Sequence, residues 1–323
     1  MKRKLNNPPM RYLFSRQLNL SDFGLEKQFI NRAKRLLKSN EINSNFNKLV
    51  KFIEKTYYYA NIVFPRYSNE FSKKLYSQPA LFTILAMKIY TKSTYREIID
   101  LISVSSEIKR FLRIKKAPHF TTIQKFFQKL SERKLKDINK LILSENVKKC
   151  DMIALDGTGF TNDYADKYYA KIRKKERKSY VKNHITIDVD SRFILHYMVQ
   201  RGPKYDTNFA IPAIRQTNKF KPKYILADRA YDTEPIRKCI NEEAKAFDQI
   251  PLKKKRVKTG HYRLNSQTIF NKLTYSRRNN VESVISVIKR LFQGTNHSRS
   301  LKLSNKETKL KNTIYNIYRS TQK

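Results

Sequence analysis

Acidic residues are scarce: 27 Asp and Glu stand against 69 Lys and Arg, a formal net charge of +42 over 323 residues. So one-sided a chain repels itself unless a polyanion neutralises it, and nucleic acid does so through phosphate contacts that weaken steeply with salt. Cysteine is limited to Cys150 and Cys239 with no CxxC, which excludes a disulfide framework and a thiolate zinc site. The histidines (His119, His184, His196, His261, His297) show neither HxxxH nor HExxH spacing, so no zinc centre is expected. With 6 glycines there is no GxGxxG and no GKT or GKS loop, which removes the support for a nucleotide cofactor. Apolar runs such as "QPALFTILAM" are too short to span a bilayer, and "MKRKLNNPPMRYLF" has no apolar segment behind its charge, so no membrane partner and no signal peptide are expected. What is plentiful is core material: hydrophobic residues make up 40%, with 20 Tyr and 19 Phe. A folded, intracellular, polyanion-binding protein is expected.

Residues 1–148 read as helical. "TYREIIDLIS" opens with Thr94 and carries Glu97 three residues on, the pattern of a capping box. "PHFTTIQKFFQKLSER" places Ile123, Phe126, Phe127 and Leu130 on one helix face. Short helices with basic exposed faces suit DNA binding. Near Cys150 the pattern changes. "DMIALDGTGF" reads as a buried strand closed by an Asp-Gly turn, and "HITIDVDSRFILHYMVQRG" as a two-stranded hairpin. "FAIPAIRQT" reads as a helix, "KYILADRAYD" as a strand ending in an aspartate, "TEPIRKCINEEA" as a helix capped at Thr233, and "KAFDQIPLK" as a last strand. A long helix over 274–290 and a final one over 301–319 complete a mixed α/β sheet with helices on it. The basic runs "KIRKKERK" and "KKKRVK" read as loops that contact phosphate; the second holds Lys253, Lys254, Lys255 and Arg256.

In so acid-poor a chain the placement of the few carboxylates carries weight. Magnesium takes hard oxygen ligands, and a pair of such ions can assist both the attacking and the leaving oxygen at phosphorus. Asp156 follows "MIAL" and Asp228 follows "YILA", so both are expected at one edge of the sheet. In "TYSRRNNVESVISVIKR" a lone acid, Glu282, sits among basic residues. At about 100° per residue, Tyr275, Arg278, Glu282 and Lys289 share one face, beside an apolar stripe of Val281, Val284, Ile285 and Ile288. That helix would pack on the sheet and bring Glu282 to complete a three-carboxylate site, with donors aimed at phosphate. Asn279 or Asn280 could instead cap the helix, leaving Tyr275 and Arg278 outside it. Other acids have plainer readings: Asp188 and Asp190 belong to the hairpin, Asp206 is a helix cap or supports the site, and Asp163 and Asp166 are loop acids. Cys239 is a small apolar residue within its helix.

These residues carry a resemblance. Tyr275, Arg278, Glu282 and Lys289 match the pattern Y-x2-R-x3-E-x6-K, a signature of a large group of insertion-sequence transposases with a DDE catalytic triad. "LDGTGF" and "LADRAYD" resemble that group's first and second aspartate motifs, and the likeness runs over roughly residues 75–320. It implies a ribonuclease H-like mixed sheet flanked by helices, preceded by an all-α N-terminal region. The implied division is 1–148 as a helical DNA-binding region, 149–295 as the catalytic domain, and 296–323 as a C-terminal helix packing on it. It further implies that Asp156, Asp228 and Glu282 hold two Mg²⁺ or Mn²⁺ ions, that Tyr275, Arg278 and Lys289 grip DNA, and that a homodimer acts on element ends and target DNA in the nucleoid. Some members insert a β domain before the glutamate; the roughly thirty residues available here are too few for one in full. Two readings compete: a nuclease of the same fold that cuts without joining, and an inactive DNA-binding descendant.

Overall fold

Capping and burial account for the helices that precede the sheet. The computed structural model describes residues 44–162, 180–202, 204–253 and 260–322. The chain divides into two compact units, Met1–Val50 and Lys51–Lys323, and the sheet lies wholly within the second. Every regular element described before the sheet is a helix: α1 (Ser44–Val63), α2 (Gln78–Tyr90), α3 (Tyr95–Val104), α4 (Ser106–Phe111), α5 (Phe120–Lys129) and α6 (Glu132–Asn146). The Thr94 hydroxyl accepts from the Glu97 amide at 3.2 Å and the Glu97 carboxylate accepts from the Thr94 amide at 2.7 Å, the reciprocal cap its sequence signals. Helix α2 is buried from Pro79 to Ile89, as an all-round apolar helix must be. The Tyr58 and Tyr59 hydroxyls both donate to Glu145, each at 3.0 Å, tying α1 to α6.

The sheet has six strands in the order β3-β2-β1-β4-β5, with β6 also paired to β1. They are β1 (Met152–Asn162), β2 (Tyr180–Asp188), β3 (Ile194–Arg201), β4 (Tyr224–Leu226), β5 (Phe247–Gln249) and β6 (Thr295–Asn296). Strands β1, β2 and β3 are antiparallel, while β4 and β5 run parallel to β1. Between them come α7 (Thr207–Thr217), α8 (Glu234–Lys238), α9 (His261–Ile269), α10 (Lys272–Ser276) and α11 (Asn279–Phe292); α12 (Leu301–Ser320) is the final helix. This is an α/β ribonuclease H-like fold with a helical region before it.

Two neighbouring β2 side chains show which helices cover which face. His184 stacks on Phe209 of α7 with ring centres 3.8 Å apart. Asn183 points the other way and exchanges amide hydrogen bonds with Asn312 of α12 at 3.0 and 2.9 Å. One turn further along α12, Asn316 takes the Ile194 amide at 2.9 Å and donates to the Ile194 carbonyl at 2.8 Å. The asparagines of "LKNTIYNIYR" are thus a helical-spacing code for docking the last helix on β2 and β3. Helix α11 joins α12 on that face: Lys289 and Lys311 lie 5.9 and 5.6 Å from the Phe160 ring of β1.

Three sequence readings need correction. Strand β1 does not end at Asp156; it continues through Gly157 to Asn162, paired with β2 along its length. The run 274–290 is two helices, with Arg278 at the start of α11 and Tyr275 on α10, because the chain tightens to i→i+3 backbone bonds through Arg277 and Arg278. The helix over "TEPIRKCINEEA" keeps Thr233 at its cap position, but the hydroxyl makes no capping bond and the second half winds as a π-helix over Cys239–Glu243. Between β5 and α11 the described residues hold α9 and α10. Among the described residues no helix is long and apolar enough to cross a membrane.

Candidate functional site

Asp156 acquires its position from strand alternation. Side chains of β1 point alternately to the two faces, so Asp156, Thr158 and Phe160 share the α11 face while Gly157 and Gly159 look toward α7. Strand β4 pairs with β1 only as far as Ala154 opposite Leu226. Two residues past that last pair stand Asp156 on β1 and Asp228 on the chain leaving β4, near enough for the Asp228 charge to act on the Asp156 carboxyl. Strand β6 rejoins the same edge of β1 at Thr161. Between Leu155 and Phe160 that edge is therefore paired to no strand among the described residues, and α11 lies beside it.

The open stretch borders a cavity of about 550 Å³ lined by Asp156, Gly157, Thr158, Glu282, Ser286 and Lys289, with Ile285 and Arg290 completing the α11 side. Glu282 reaches it because Val281, Val284, Ile288 and Phe292 are buried, Phe292 against Tyr90 of α2 and Tyr318 of α12, turning the polar face of α11 along the edge. Burying those four side chains is worth roughly 1.5–3 kcal/mol each, which fixes the helix rotation. Arg278 donates to the Glu282 carboxylate and lies 3.8 Å from Asp156, so one guanidinium joins two acids. The Tyr275 ring lies 5.9 Å from the same guanidinium. Asp228 differs. Its Oδ1 accepts the Ala230 amide at 2.8 Å, capping a short turn, and it does not line the cavity.

Electrostatics mark Asp156. Burial pushes its carboxyl up to about 6; the Gly157 amide and Arg278 pull the other way, and the charges of Asp228 and Glu282 push up again. Asp156 thus senses both of the other acids. Burial also draws the Lys289 ammonium below its ordinary range, with Asp156 opposing. Hard carboxylate oxygens facing each other across a protein cation suit a divalent ion in kind and charge. Their spacing is open: among the described residues no group of three or more His, Cys, Asp or Glu side chains converges closely enough to hold a metal. Lys253 lies beside the Asp228 turn, its ammonium donating to the Ala230 carbonyl at 3.3 Å. Lys254, Lys255 and Arg256 lie outside the described residues, as do Asp163, Asp166 and the run from Lys171.

Sequence reading misses part of this site. Ser286 and Arg290 stand four and eight residues after Glu282, and the same helical spacing that selects Lys289 would find them. Behind Asp156, His184 is buried with its Nε2 3.4 Å from Asp206 Oδ1, and Lys182 reaches the same oxygen at 2.6 Å. Burial lowers His184 to about 4, Lys182 adding to the shift and Asp206 opposing it. Asp206 holds the N-cap position of α7 but makes no capping bond, so its carboxylate serves this pair. Asp188 accepts from the Ser191 amide at 3.1 Å inside the hairpin turn, and Asp190 pairs with Arg277. A Cβ at Gly157 would lie 2.6 Å from His184 Cε1 and 2.7 Å from Asp206 Oδ1. Gly157→Ala is therefore expected to destabilise the protein by about 1–3 kcal/mol in urea melts. A variant as stable as the parent would mean the His184–Asp206 pair can step aside.

Comparison with known proteins adds a family. Residues 149–317 match the family model described as a transposase DDE domain. No curated protein sequence matches the chain. Among solved structures, similarity is found to a piggyBac transposase synaptic complex with hairpin DNA, at 11% identity and a TM-score of 0.43, covering 87% of this chain and 75% of that one. A pre-cleavage Mos1 transpososome is similar at 13% identity and a TM-score of 0.23, covering 93% and 95% of the two chains.

Proposed function

Since this chain belongs to the transposase DDE domain family, we propose that it is a DNA transposase of the Y-R-E-K group that binds insertion-sequence ends, cleaves them and joins them to target DNA. The observation that carries this reading is the shared cavity of Asp156 and Glu282, with Lys289 and Arg290 on its wall and the Asp228 charge acting on Asp156. Asp156, Asp228 and Glu282 would hold the divalent cations, Mg²⁺ or Mn²⁺. When bound, two such ions supply Lewis-acid charge to both oxygens of an in-line displacement at phosphorus.

The chain's own residues do the rest. Arg278 offsets the charges of Asp156 and Glu282, and its planar fork suits a phosphate oxygen pair. Lys289, seated over Phe160, presents one charge to the backbone beside the scissile bond. Tyr275 sets the Arg278 plane from the α10 side. Lys253 extends the positive track past Asp228. The burial of Asp156 limits water at the reacting oxygen and strengthens each charge–charge contact there. Joining two ends together calls for a homodimer on DNA.

The test uses the duplex flanking the coding region. With Mg²⁺, full-length protein is expected to cut it, and with a precut 3′-hydroxyl end it is expected to yield product joined to plasmid. Cutting without joining would make the protein a nuclease, and neither would leave an inactive binder. Lys289→Ala is expected to weaken end binding and cleavage roughly tenfold, the scale of a lost charge-assisted contact. Mn²⁺ affinity of the DNA-free protein should stay unchanged, and unaltered cleavage rates would remove Lys289 from the site.

A further inference from the structure

Positive charge concentrates, away from the cavity, on the turn that leads into α5. Residues 108–131 contain no acid. Arg110, Arg113, Lys115, Lys116, Lys125 and Lys129 are exposed there, and none has an ion-pair partner among the described residues. The flanking acids are committed elsewhere or lie at the border: Glu97 closes the α3 cap, and Glu132 pairs with Lys309 at 2.6 Å.

Helix α5 is held from one side only. Ile123 and Phe127 are buried, and α2 and α3 pack against it. Lys306 of α12 donates to the Phe127 and Gln128 carbonyls at 3.4 and 2.7 Å, fixing its C-terminal end to the body of the protein. At its start, His119 Nδ1 lies 2.8 Å from Thr121 Oγ1 and the Arg96 guanidinium lies 5.0 Å from the Phe120 ring. The remaining face presents Gln124, Lys125, Gln128 and Lys129, all exposed, on successive turns. It offers amide groups able to pair bidentately with adenine and ammonium groups able to reach guanine.

We propose that α5 is the base-reading helix, lying in the major groove of B-form DNA, with Gln124 and Gln128 selecting bases and the Lys115–Lys116 turn anchoring the backbone. A rigid ten-residue helix with an unoccupied polar face fits that groove, whereas the major groove of an A-form RNA duplex is too narrow to admit it. This deepens the proposed function, since it assigns the end recognition that transposition requires.

The experiment selects duplexes from a random-sequence DNA pool with the full chain in EDTA, then measures affinity across salt for the selected duplex, a scrambled one and an RNA duplex. Wild type is expected to enrich one sequence and to disfavour the RNA. The pair Gln124→Ala and Gln128→Ala should erase preference at two or more neighbouring base pairs, about tenfold each, with non-specific binding retained. The pair Lys115→Ala and Lys116→Ala should weaken every duplex alike and flatten the log–log salt slope by about 0.9 per lost contact. Identical selection by the glutamine variant, no sequence preference in wild type, or equal RNA binding would each overturn the inference. A wild type that selects as expected but neither cuts nor joins with Mg²⁺ would sink the proposed function and leave α5 in its role.

Discussion

Asp156→Asn is expected to abolish metal-dependent cleavage of element-end DNA, by on the order of a thousandfold, and at the same time to raise the melting temperature of the metal-free protein. Both effects come from one buried charge. The amide keeps the size of the side chain and can still accept the Gly157 N–H, which Asp156 Oδ1 takes at 2.7 Å. It loses the charge a divalent cation needs. Without metal that charge is a cost, because the carboxyl, pushed up to about 6 mainly by burial, binds its proton more tightly folded than unfolded. Its contribution to stability is fully present below the unfolded value near pH 4 and is lost as pH rises through about 6. The variant's advantage should therefore appear in calorimetry at pH 7.5 with EDTA and vanish below about pH 4. Asp228→Asn and Glu282→Gln are expected to lose cleavage as well, but with no comparable stabilisation from Glu282, whose side chain is 53% exposed. Retained cutting by any one variant would remove that residue from the site, and a melting difference independent of pH would refute the account of Asp156.

Asp232→Ala is expected to cost about 3–5 kcal/mol, the scale for stripping one partner from buried charges. Asp232 accepts from Arg263 at 3.0 and 2.9 Å, from Arg237 at 3.1 Å, and from the Lys253 amide at 2.8 Å. Arg237 is wholly buried and also pairs with Asp248, which in turn accepts from Ser266 at 2.7 Å. Alanine would strip the Arg263 guanidinium of its carboxylate, leave Arg237 with Asp248 and the Ile250 carbonyl, and loosen α9 from the turn before α8, along with the start of the basic run at Lys253. Burial alone would raise the Asp232 carboxyl; Arg263, the Lys253 amide and Arg237 outweigh it and hold it below its ordinary range. The network's stability is thus present above about pH 4 and is lost as pH falls through the lowered value. Chemical denaturation at pH 7 measures the loss; a change under about 1 kcal/mol would show that the network contributes little over solvated charges.

Much of this architecture is legible from residues, and where reading fails the causes are physical. Apolar runs ending in aspartate locate β1 and β4, and the stripe on α11 locates the face that carries Glu282. The Asp-Gly pair reads as a turn because glycine permits one. In the fold Gly157 is small for another reason: His184 and Asp206 occupy the space a side chain would take. Nothing local in the sequence reveals that Asp232 joins Arg237 to Arg263, or that Asp248 meets Arg237 from β5. The break before α11 carries no side-chain cap, and β6 has two residues, too short for any periodicity. The acids behave alike: their chain positions are readable, but the side-chain rotations that turn Asp228 onto Ala230 are set by local backbone amides.

The one-sided pairing of β1 has a dynamic corollary. From Leu155 to Phe160, alternate amides are hydrogen-bonded to β2 while their neighbours face the gap between β4 and β6. Of those outward amides, that of Gly157 is taken by Asp156 Oδ1 at 2.7 Å and that of Thr161 by the Gly294 carbonyl at 3.2 Å. Gly159 stands between them in the middle of a sheet, and its amide should exchange with deuterium faster than either, a dip in protection two residues beyond the one that Asp156 shields.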